Sequence, residues 1–368
     1  MYSRSWDPNS PPPRQCIYEI PEFFKRCNGE MFTPMLFSRG PFHHGKLELA
    51  AMEYEKKRYY DKFRTRIPYE VLEKFESILQ CNKPRFPGMY IYSVPTAPIQ
   101  LDKLRDIIFY DSIFIVELLL SYHDEENDSF LSDSLEKNTL IKRDLLLLEN
   151  QVPFFILNQL YKLVLRTRPY QNYPSLLNLS CKFFGIRMPK QEFYEERGAE
   201  HFTELVRSSL VGVFPSDPRK ATGTFLSLPT AKELKKLEVV NFESIVGGCI
   251  GDMKCTSKRF IIKLFNLQIP HIELHFLSEC MFQNVRAFEL LAYSLLEAHV
   301  SNFLYLIRCL VFDEEDLNVL MTKNIISSQL EDDAEVVELF RRVTKGCPVY
   351  PDYDMWDICE SLRSLVNY

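Results

Sequence analysis

Apolar residues recur at helical spacing along most of the chain, and the breaks between those stretches predict its elements. After Gly45, Leu47, Ala50, Ala51 and Tyr54 stand at i, i+3, i+4 and i+7, the spacing of one buried helix face. Glu48, Glu53, Glu55, Lys56 and Lys57 would then form the solvent face. A second helix is predicted over residues 67–79. Pro84, Pro87, Pro95 and Pro98 interrupt the chain before a third, near 101–122, which is apolar almost all round and so marks a buried central helix. The apolar run 140–165 is broken by "ENQVP". Pro153 has no amide to donate and its ring collides with the preceding turn. One element therefore ends near Leu148 and a helix starts near Pro153, or a single helix kinks there.

In the second half, "KLEVVNFES" and "KRFIIKLFNLQIPHIEL" are rich in β-branched and aromatic residues, and the glycines of "GGCIGD" between them supply a turn. These segments predict a small hairpin. Residues 282–312 form one or two long helices, and Asp313 is placed to cap a further one, "EEDLNVLMTK". Residues 123–137 read as an acidic loop, 207–230 as a Pro-, Gly- and Ser-rich loop, and 1–15 as a flexible Pro-rich leader. No repeat period is visible. The fold class is mainly α, with a small β-hairpin in the C-terminal half. Residues 16–368 are expected as one domain whose halves, to about 206 and from 231, flank the loop 207–230.

Composition narrows the function. With 368 residues, 46% hydrophobic and 26% charged, the chain is a folded globular protein, and its scarcity of Gly, 12 in all, argues against barrels and sandwiches. A net charge of −6 excludes nucleic acid as the main partner, because phosphate neutralisation needs a basic face. Ten scattered cysteines without a signal peptide read as reduced thiols in the cytoplasm. The longest apolar stretches carry Asp111, Glu117 or Arg308, so no membrane span is predicted.

Candidate chemistry is sparse. Gly40, Gly45 and Lys46 give G-x-x-x-x-G-K, but Leu47 stands where a phosphate-binding loop needs a hydroxyl, and Pro41 lacks an amide. His43 and His44 could relay a proton, yet no nucleophile accompanies them. His271 and His275 have ligand spacing, but Pro270 precedes them and Ile272 replaces the glutamate of a metalloprotease. Cys249 and Cys255 flank five residues and lack a second pair. No G-x-S-x-G elbow occurs. Asp144 and Glu149 lie in an apolar run where burial would shift their ionisation, as at active sites, although such carboxylates more often cap helices or pair with cations. No catalytic residue, metal or cofactor is assigned.

The stretch "IYEIPEFFKRCNGEMFTPMLFSRGPFHHGKLELAAMEYEKKRYYDKF" resembles the plant family called "domain of unknown function 247". Ile20 and Pro21, Phe32 to Pro34, Ser38, Gly40 and Pro41, His43, His44 and Gly45, then Met52, Glu53 and Lys56 occupy the family's places. Arg39 stands for its usual Ile and Phe42 for Tyr. "RDLLLLENQVPFFIL" carries the second motif through Asp144, Glu149, Asn150, Gln151 and Pro153, and further matches extend the resemblance over about 17–350. The G-K likeness to a phosphate loop is then accidental.

The resemblance implies no established catalysis or cofactor. It implies a hydrophobic C-terminal helix in many members, anchoring a cytoplasmic body to a membrane. This sequence stops at "WDICESLRSLVNY", where that tail would begin, as a short or a truncated form. Grass members are encoded at self-incompatibility loci, which suggests recognition or signalling. The expectation is a non-enzymatic interaction module, cytoplasmic or on a membrane's cytoplasmic face, with an unidentified protein partner meeting the loops 123–137 and 207–230. The alternative is an enzyme, which needs His43, His44 and Asp144 to converge in one polar pocket.

Overall fold

The computed structural model describes residues 16–92, 99–126, 135–189, 199–213, 228–259, 263–346 and 353–365. The predicted leader, most of the acidic loop and positions 214–227 lie outside them. Chain contacts divide the molecule into two units, Met1–Gly185 with Gly198–Phe202, and Ile186–Arg197 with Thr203–Tyr368.

The first unit holds α1 (Glu22–Asn28), α2 (Ala50–Arg66), α3 (Tyr69–Asn82), α4 (Leu101–His123), α5 (Leu135–Leu146), α6 (Phe154–Val164) and α7 (Leu176–Phe184). The two-residue strands β1 (Ile17–Tyr18) and β2 (Tyr90–Ile91) pair in parallel. As its composition demands, α4 is the core, packed by α2, α3, α6 and α7. Phe114 meets Phe37 and Tyr59 edge-on, and Phe109 stacks on Phe75. The run 140–165 breaks into two helices, α5 and α6, with Pro153 at the N-cap of α6.

The sidedness of α2 is the reverse of the expectation. Met52, Lys56, Tyr59 and Phe63 are buried, while Leu47 is 87% exposed, Tyr54 is 72% exposed, and Ala50 and Ala51 face solvent. The turn of the helix is decided by Lys56, whose ammonium lies 2.7 Å from Asp111 of α4 and 2.8 Å from Glu53. An ion pair in the core and two aromatic rings outweigh two alanines and a leucine.

At its other end α2 meets α4 through Arg66, which donates to Tyr170 (2.7 Å), Glu117 (2.9 Å), Glu126 (2.9 Å) and Asp124 (2.7 Å). Glu117 is fully buried, and burial pushes its carboxyl up to about 7 against the pull of Arg66 and Lys62.

The second unit contains α8 (Phe202–Val211, all but Phe202), α9 (Ala231–Lys236), α10 (Ser278–Ala292), α11 (His299–Leu310), α12 (Glu314–Thr322), α13 (Asp333–Thr344) and α14 (Tyr353–Arg363). The loop predicted from residue 207 therefore starts later, since 207–211 are helical. There Ser208 and Ser209 turn their hydroxyls back onto Glu204 and the Val206 carbonyl, and Arg207 is buried against Glu289. Asp313 caps α12 as expected, accepting from the Asp316 amide at 3.1 Å.

The predicted hairpin partners are also corrected. β3 (Val240–Ile245) pairs with β5 (Lys263–Pro270) in parallel, and the antiparallel partner of β5 is β4 (Lys254–Arg259). Gly247, at φ +76°, and a short turn capped reciprocally by Cys249 and Asp252 do redirect the chain after β3. They set it down one strand beyond, and β5 fills the gap. That order places the most apolar strand centrally, with Phe265, Leu267 and Ile269 buried on one face. β6 (Ile272–Leu274) and β7 (Ile326–Ser328) form a separate parallel pair.

Glu289 ties α10 to the start of α11. It accepts from the Val300 amide (3.0 Å), the Ser301 amide (2.8 Å) and hydroxyl (2.7 Å), and Arg207 (2.9 Å). Glu289→Ala removes the carboxylate partner of the buried Arg207 and leaves two helix-end amides without theirs, and should lower stability by about 3 kcal/mol in urea unfolding. For Glu117 the folded-state pKa exceeds the unfolded value. Its contribution is therefore complete below about 4.3 and lost as pH rises through about 7. Lowering pH from 8 to 5 should raise the melting temperature of the native protein more than that of Glu117→Gln; equal shifts would contradict this.

Candidate functional site

Residues 33–46 run through the first unit almost without regular structure, yet Phe37, Ser38, Arg39 and Gly40 are buried. Their backbone is satisfied by side chains of the second signature. Asp144, in the last turn of α5, accepts from the amides of Met35 (3.0 Å), Leu36 (2.6 Å) and Phe37 (3.1 Å), and from Arg143 at 3.0 Å. Arg143 also donates to the Thr33 and Glu30 carbonyls. Asn150 accepts from the Arg39 amide at 2.5 Å and donates to the carbonyls of Phe37 (2.9 Å) and Asp144 (3.0 Å). Gln151 closes the chain break before Pro153, donating to the Leu145 and Leu147 carbonyls and accepting from the Phe202 amide.

Gly40 turns at φ +63°, and its amide donates to Asp111 at 2.8 Å. A Cβ there would stand 2.7 Å from the Gln151 carbonyl oxygen, so glycine is required twice over. Pro41 follows this turn. Gly45, at φ +82°, ends the segment in open space. The amide that a phosphate would need is thus given to a carboxylate, and Lys46 reaches His43 at 2.8 Å instead.

His43 and Glu149 make the second contact between the signatures. Since His43 Nδ1 faces the Lys46 ammonium at 2.8 Å, its proton belongs on Nε2, which stands 2.9 Å from Glu149, poorly aligned for a hydrogen bond. Glu149 also accepts from the Ile20 amide and Lys25, both at 2.6 Å. Burial pushes this carboxyl up, and His43 with Lys25 more than reverse it, leaving it below its ordinary value. For Asp144 and Asp111, burial prevails and both carboxyls are raised. Lys56 lies between Asp111 and Glu53; burial lowers it, the two carboxylates raise it, and the balance is upward.

The two motifs therefore meet as one joint, but His43, His44 and Asp144 face three different surroundings. Asp144 is enclosed by amides and Arg143, and His43 is held between Lys46 and Glu149. His44 alone, with Glu53, Lys56 and Asp111, lines a solvent-open hollow of about 690 Å³ between α2 and α4. Burial pushes its imidazole below the ordinary range, against the pull of Glu53 and Asp111.

The other candidates lie in the second unit. His271 bonds to the Asn324 carbonyl and Ser327, and His275 accepts from the Leu277 amide. Cys249 sits beside Arg187 and the Ser209 carbonyl. Among the described residues no group of His, Cys, Asp and Glu could hold a metal ion, and no helix is long and apolar enough to cross a membrane.

Sequence reasoning missed Arg39. Its side chain is fully buried, donating to the Asp144 carbonyl and lying 5.8 Å from the Phe37 and Phe202 ring centres, with burial pushing it down to about 9. It missed His201 too, which is buried against the Cys16 carbonyl and pushed by burial to about 3. Neither residue carries a periodic signal.

The fold and the joint define a mainly helical protein whose two signature segments lock each other inside one unit. The chain belongs to the DUF247 family, a plant protein family of unknown function, whose pattern matches residues 17–368. It is 26% identical to UPF0481 protein At3g47200 of Arabidopsis thaliana, over 90% of this chain and 72% of the relative. Putative UPF0481 protein At3g02645 of the same plant is 25% identical over 39% of this chain and 26% of its own length. No solved structure matches the chain.

Two substitutions probe the joint. Asn150→Ala leaves the buried Arg39 amide and the Phe37 carbonyl without this partner and should cost roughly 2–3 kcal/mol. Gly40→Ala should cost at least about 2 kcal/mol, from the left-handed backbone and the close carbonyl. Denaturant midpoints of both variants check these values.

Proposed function

We propose that the chain is a non-enzymatic interaction module, acting in the cytoplasm or on the cytoplasmic face of a membrane, with the α2–α4 hollow as its contact surface. One observation carries this reading: the acids and amides of the signatures are engaged in holding backbone. A general base needs an open lone pair within reach of a substrate proton, and the oxygens of Asp144 already take three amides and a guanidinium. The hollow beside the joint, in contrast, presents exposed side chains on rigid helices. The buried thiol of Cys181 in the core supports a reducing compartment.

The test is the mass of the tagged chain purified from plant tissue after mild cross-linking, by size exclusion with light scattering. The expected result is a complex heavier than the chain's own 43.4 kDa, with a second polypeptide at fixed ratio. Elution at 43.4 kDa under all conditions would sink the reading.

A further inference from the structure

We propose that the α2–α4 hollow docks an extended, acidic peptide segment of a partner protein, bearing an aromatic or aliphatic side chain. This deepens the interaction reading above and rests on it.

Charge is the first argument. Lys57 and Arg64 of α2 and Lys103 of α4 are exposed lining residues, and none has a carboxylate within ion-pair distance among the described residues. The acids beside them are largely spoken for: Lys56 takes Glu53 and Asp111, and Arg105 takes Asp106 at 2.6 Å. Asp61 alone among the lining acids has no such partner. A chain of net charge −6 thus gathers unpaired cations along one groove. Three unpaired cations against the single unpaired acid Asp61 leave the rim net positive, which steers a partner of the opposite sign.

Shape is the second. On α2 the lining runs from Glu53 to Arg64, roughly 16 Å at helical rise, which is about five extended residues. Tyr60 and Tyr110 stand edge to face at 5.3 Å, Tyr110 is 46% exposed, and Ile107 lies between them and Lys103 in the lining. Amphipathic rings on a rigid wall favour a side chain that buries apolar surface. Tyr110 and Asp106 also line a second hollow, of about 650 Å³, on the α3 side of α4. A small molecule would fill one hollow. An extended segment, whose side chains alternate in direction, occupies both across the Tyr110 ridge. His44, also in the lining, offers ring nitrogens to peptide backbone.

The experiment pans a randomised heptapeptide phage library on the full chain and measures selected peptides, fluorescein-labelled, by anisotropy. Selected sequences should combine Asp or Glu with Phe, Tyr, Trp or Leu. Lys57→Glu with Lys103→Glu should weaken them at least about tenfold, and Tyr110→Ala should weaken them too. Phe23→Ala, 60% exposed on α1 and outside both linings, should leave affinity unchanged. These positions are exposed, and unchanged melting temperatures confirm folding. Peptides of basic or neutral composition, no selected peptide at all, or acidic peptides indifferent to the groove variants would overturn the proposal. The interaction reading is judged separately by complex mass, so a groove that fails beside an intact complex is told apart from a chain with no partner.

Discussion

A buried segment without regular structure must find partners for its backbone elsewhere, and this constraint organises the first unit. Each amide left unpaired away from water costs roughly 1–3 kcal/mol. Met35, Leu36, Phe37, Arg39 and Gly40 have no strand beside them, and Asp144, Asn150 and Asp111 take their protons instead. The two signatures are one device split across the chain, since side chains at 144 and 150 hold the backbone of positions 35–39. Strands β1 and β2, two residues each, are what remains of ordinary pairing there.

Using carboxylates for this purpose has an electrostatic consequence. Glu149, with Lys25 and His43 beside it, settles below its ordinary value, whereas Asp144, held mainly by amides, stays above. Asp111 is raised as well, although Lys56 lies 2.7 Å away, so the balance of burial against the partners each group finds decides the direction. The same logic explains Arg39, whose charge is compensated by aromatic faces, one carbonyl and the more distant Asp111 and Asp144. Residue types that look catalytic in the sequence arise here from backbone bookkeeping.

Much of the architecture was legible because its causes are local. The break at Pro153, the cap at Asp313 and the burial of α4 depend on neighbours a few residues away. The facing of α2 was not, because it turns on Asp111, fifty-five positions beyond Lys56. Periodicity counts alanines and leucine as core and lysine as surface, and cannot see a partner supplied by another helix. The order of the three-stranded sheet failed for the same reason: glycines announce a turn but do not say which strand waits beyond it. The motif residues were visible, yet their meeting was not, since Asn150 and the Arg39 amide are joined only by the fold.

The inverted facing of α2 also links the joint to the groove. Asp111 spends one oxygen on Gly40 and the other on Lys56, which holds Glu53 in the lining of the hollow. With Lys56 turned inward, the positions one, four and eight residues on, Lys57, Tyr60 and Arg64, are carried to the groove wall. The stripe of Leu47 and Tyr54 is displaced to solvent by the same rotation. A single buried pair therefore fixes the turn that locks the signatures and the face that the helix presents, so that a contact surface on α2 inherits its geometry from the joint beneath it.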